Sequence, residues 1–73
     1  MNIWINGKEH RDIEKLTAGK LEHLVQLAQI EIDNYKRAIV NYSEQRMKAV
    51  GIPYLAELEG RRKKIELILE KNK

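Results

Sequence analysis

From Leu21 to Tyr42 the apolar residues step four, three, four, three along the chain: Leu21, Val25, Ala28, Ile32, Tyr35, Ile39 and Tyr42. That spacing places all of them on one side of an α-helix and forms a seam of the coiled-coil type. A lone helix cannot satisfy such a seam. The chain must fold back on itself, associate, or do both. Its 73 residues make one domain, and a domain of this size buries only a modest fraction of its surface. Cysteine is absent, which excludes disulfides and thiolate metal sites as supports. Phenylalanine is absent too, and Trp4 is the only tryptophan. The core is therefore expected to be aliphatic, with Tyr35, Tyr42 and Tyr54 as its large members. Small size and a long seam together lead us to expect a homodimer.

The first residues read as a β-hairpin. Ile3 and Ile5 alternate with Asn2 and Trp4, and Asn6-Gly7 follows at once. Asn-Gly is the preferred pair for a type I′ turn, because both central residues need positive φ. Tight pairing sets Ile5 opposite Lys8, Trp4 opposite Glu9 and Ile3 opposite His10. Those are poor cross-strand partners, so the return strand has to lean on the helices.

Thr17 is placed to cap the first helix through its hydroxyl, with Leu16 and Leu21 around it as a hydrophobic staple. After Gly19, no Pro or Gly follows until Gly51-Ile52-Pro53. Gly51 suits the left-handed residue after a helix, and Pro53 can open the next one. The second helix carries the seam Leu55, Leu58, Arg62, Ile65 and Leu69. The predicted fold is mainly α with a minor β part, in one domain over residues 1–73. It comprises a β-hairpin at 1–16, helix one at 17–50 and helix two at 53–72, the helices forming an antiparallel, coiled-coil-like hairpin. A bend at Ile52 pairs positions whose numbers sum to about 104, as in any short antiparallel connection. Tyr42 then lies near Arg62, Ile39 near Ile65 and Tyr35 near Leu69. Helix two ends opposite Ile32 in that register and leaves Leu21 to Ile30 uncovered.

No catalytic, cofactor or metal motif is present. Ser43 and Thr17 are the only hydroxyl nucleophiles of their types, and neither has a histidine beside it in sequence. His10 and His23 lack the spacing of metal ligands and read as structural or surface residues. Asn6-Gly7-Lys8 lacks the succession of glycines of a phosphate loop. No apolar leader and no run of about 20 apolar residues is visible. We therefore expect a cytoplasmic chain that neither enters a membrane nor holds a cofactor, a metal or a small-molecule substrate.

Charge is unevenly placed. Residues 1–35 hold four Lys/Arg against six Asp/Glu, and residues 36–73 hold ten against five. The block Arg61-Arg62-Lys63-Lys64 lies in helix two, but on a helix these side chains point in four directions. The functional expectation is a non-catalytic protein-binding regulator, adaptor or inhibitor, such as a small phage or mobile-element protein that blocks host machinery. Its contact residues would be Trp4, Leu21, Leu24 and Leu27 together with Arg61, Lys63 and Lys64. The alternative is a nucleic-acid-binding protein that grips the phosphate backbone through basic helix two.

Overall fold

The computed structural model describes residues 1–72; Lys73, counted above among the basic residues, lies outside them. Strands β1 (Ile3–Ile5) and β2 (Lys8–His10) form a two-stranded antiparallel sheet. Its register is Ile3 with His10, Trp4 with Glu9 and Ile5 with Lys8. Asn6 and Gly7 take φ of 52° and 77°, as a type I′ turn demands. A single 3-10 turn at Ile13–Lys15 leads on to helix α1 (Ala18–Ala38). Thr17 caps α1, its hydroxyl accepting from the Lys20 N–H at 3.3 Å. Lys36 and Arg37 stand in the last turn, where the helix dipole favours cations.

The expected helix at 17–50 is not one helix. It stops at Ala38, and the chain turns over Ile39 to Tyr42. Ser43, read above as a residue inside the helix, takes φ −62° and ψ 160° and caps the next one. Its hydroxyl accepts from the Arg46 N–H at 3.2 Å. Helical backbone then runs through α2 (Glu44–Arg46), a π-turn at Met47–Gly51 and α3 (Ile52–Lys71). Gly51-Ile52-Pro53 is thus inside a rod, and Gly51 is right-handed, with φ −59° and ψ −58°. The physical reason lies in the π-turn. The Ile52 N–H reaches back five residues to the Met47 carbonyl, so the ladder is already out of step where Pro53 has no N–H to give.

Moving the bend moves the register. Tyr35 meets Tyr54 and Gln29 meets Arg62, so paired positions sum to about 90 rather than the expected 104. The seam residues themselves are those read from the sequence: Leu58 and Ile65 are buried, while Leu55, Arg62 and Leu69 are partly buried. Because α3 slides by about four turns, its C-terminal half now covers the front of α1. Ile3, Ile5 and Ile13 close over the same region, making one core with Leu21, Leu24, Ala28 and Ile65. Each fully buried Leu or Ile there contributes about 1.5–3 kcal/mol. A second packed region sits at the bend. Gly51 allows the rod to approach the turn closely: a Cβ there would lie 2.6 Å from Met47 Sδ and within van der Waals contact of Tyr42 and Ile39.

Candidate interaction surfaces

Trp4 faces outward from β1 and is 51% exposed. It is the largest side chain of the protein, and its backbone is held on both sides. The strand ladder fixes one edge, and Arg61 Nη1 donates to the Trp4 carbonyl oxygen at 3.2 Å on the other. Arg61 is itself steadied by Glu57, 3.1 Å away and one helical turn earlier. Trp4, Gly60, Arg61 and Lys64 line one groove between β1 and α3. Gly60 has open space where a Cβ would stand.

The other expected contact residues are placed differently. Leu21 and Leu24 are 0% and 4% exposed and belong to the core, so they offer nothing to a partner. They are buried because the shifted register brings Ile65 and the β-hairpin over them. Leu27 is only partly buried and borders the space under β2. The exposed apolar side chains are instead Trp4, Ile30, Val40, Val50, Ile52 and Leu67, with Tyr54 and Met1.

The basic run of α3 is divided. Arg61 turns to β1. Arg62 does not lie over Tyr42 as expected; it donates to the Gln29 side-chain oxygen and pairs with Glu66 at 3.0 Å. Gln29 in turn donates to Asp33 at 2.9 Å, so a polar clasp from Asp33 to Glu66 ties α1 to α3. Arg46 takes the place at Tyr42, its guanidinium carbon 4.3 Å from the ring centroid. Lys63 borders a groove between α1 and α3 with an apolar floor of Val25, Leu67 and Leu69 and three carboxylates, Glu22, Glu66 and Glu70. Lys64 lies on the opposite side, beside Trp4.

His10 and His23, far apart in sequence, come together where β2 overhangs α1 and border the same two grooves. Sequence spacing could not reveal this pairing; the hairpin register combined with the helix face of His23 creates it. Among the described residues, no three His, Cys, Asp or Glu side chains are grouped so as to hold a metal ion. No described helix is long and apolar enough to cross a membrane. Comparison with protein-family models, curated proteins and solved structures gives no match to this chain.

Proposed function

We propose that this chain is a non-catalytic protein-binding module, a small regulator, adaptor or inhibitor, with Trp4 as its anchor. The exposed indole on a strand pinned from both sides supports this reading. Tryptophan is enriched among the residues that dominate binding energy, and a strand whose backbone is held before binding loses little entropy on docking. The apolar front of α1 no longer contributes, since Leu21 and Leu24 serve this chain's own core. A homodimer has less to bury than the sequence suggests: of the stretch Leu21 to Ile30, Leu21, Leu24 and Ala28 are covered from within, while Ile30 stays half exposed.

Nucleic-acid binding through the basic run is the weaker reading. Two of its four cations, Arg61 and Arg62, are engaged within the fold. Lys63 stands among three carboxylates. A phosphate backbone is best gripped by cations gathered on one face.

The test is capture from a nuclease-treated cell extract on the immobilised wild-type chain and, in parallel, on Trp4→Ala and a distant Lys48→Ala control. The expected result is a protein retained by wild type and Lys48→Ala and lost by Trp4→Ala, with circular dichroism unchanged. Equal retention by Trp4→Ala would remove the anchor. Retention that disappears with nuclease would favour the nucleic-acid reading.

A further inference from the structure

The hairpin register puts Lys8 and His10 on the same face of the sheet as their partners Ile5 and Ile3, which is the buried face. β2 therefore presents a cation and an imidazole toward the helices, where a hydrophobic residue would ordinarily stand. Opposite them α1 presents His23 and, one helical turn earlier, Lys20. His10, His23 and Leu24 border both grooves along this line. One groove runs on to Lys20, the other to Lys8 and Leu27. Among the described residues, no carboxylate borders either groove. Glu9 lies 2.8 Å from Arg11, Glu22 borders the α1/α3 groove, and Glu14 holds the Met1 amino group.

We infer that this seam between β2 and α1 receives an acidic segment of a partner protein. Its carboxylates meet Lys8, His10, Lys20 and His23, and its apolar side chains lie on the partly buried Leu16 and Leu27. The inference rests on the protein-binding reading and adds a second site with its own chemistry. Complementarity of charge selects an acidic occupant. The leucines select a peptide over a nucleic acid, and among the described residues neither groove holds a Phe, Tyr or Trp on which bases could stack. Two of the four polar groups are imidazoles, each able to donate an N–H to a carboxylate. The charged groups facing them are Lys8 from β2 and Lys20 from α1.

The probe is a fluorescein-labelled peptide of alternating Glu and Leu, measured by fluorescence anisotropy with the full chain beside a Gln/Leu counterpart. The Glu/Leu peptide is expected to bind at least about tenfold more tightly than the Gln/Leu peptide, a difference of 1.4 kcal/mol. Lys8→Glu with Lys20→Glu should abolish binding, both side chains being exposed and free of any role in the core. Trp4→Ala should leave the peptide affinity unchanged. Equal binding of both peptides, or full binding by the Lys8/Lys20 double variant, overturns the inference while leaving the Trp4 reading standing. Loss of peptide binding in Trp4→Ala would merge the two surfaces and overturn it as well.

Discussion

Tyr35 and Tyr54 meet edge to face across the helical hairpin, their ring centroids 4.9 Å apart and their planes at 68°. This pair fixes the register at the bend as the Gln29–Arg62 bond fixes it further along. It also carries an imperfection. The Tyr35 hydroxyl is shut off from water and has no hydrogen-bond partner.

An unpaired buried hydroxyl has a desolvation cost and no compensating bond. Tyr35→Phe keeps the ring contact and removes that cost, so we expect stability unchanged or raised by up to about 1 kcal/mol. Urea unfolding followed by circular dichroism measures it. A loss of about 1 kcal/mol or more would mean the hydroxyl is bonded in solution.

Burial, followed by the neighbouring Tyr42 and Tyr54, raises the Tyr35 phenol above the ordinary tyrosine range. A raised folded-state value means the fold favours the neutral phenol. This contribution to stability is complete below the unfolded-state value of about 10. It is lost as pH rises through the folded-state value. Absorbance of tyrosinate should therefore show one tyrosine ionising after the others, and Tyr35→Phe should lack that late step.

Glycine substitutions should separate two kinds of helical glycine. Gly60 lies in the interior of α3 with open space around it, so Gly60→Ala should stabilise by about 0.5–1 kcal/mol. Gly51 is buried against Met47, Tyr42 and Ile39, so Gly51→Leu should overpack the bend and cost about 1–3 kcal/mol. Thermal unfolding of both variants, compared with wild type, gives the two signs.

Ser43 is the residue that starts the returning rod. Ser43→Ala removes the only side-chain cap of that terminus and should destabilise the fold by about 1 kcal/mol. Ser43→Asp, which keeps an acceptor, should restore most of the loss. Denaturant midpoints of the two variants provide the comparison.

The hairpin was legible because its signal is local: Asn6-Gly7 dictates both the turn and every pair beyond it. The Thr17 cap was legible for the same reason. The seam residues were also legible, since helical periodicity does not depend on where the helix ends. The bend was not. Gly51 and Pro53 form a strong stop signal, but a π-turn absorbs it, whereas the real turn at Ile39 to Tyr42 contains neither residue. The usable sign was Ser43 before Glu44, a cap followed by an acid in the first turn. At the candidate surfaces, Trp4 could be named from its type alone. Leu21 and Leu24 were misassigned because the wrong bend left them uncovered. The meeting of His10 with His23 needs tertiary structure and has no counterpart in spacing.

Everything rests on where the rods pair, and proton–proton NOEs in solution report that directly. The account requires cross-peaks between the rings of Tyr35 and Tyr54 and between the side chains of Gln29 and Arg62. Cross-peaks joining Tyr42 to Arg62 and Tyr35 to Leu69 would place the bend at Ile52, expose the front of α1 and contradict it.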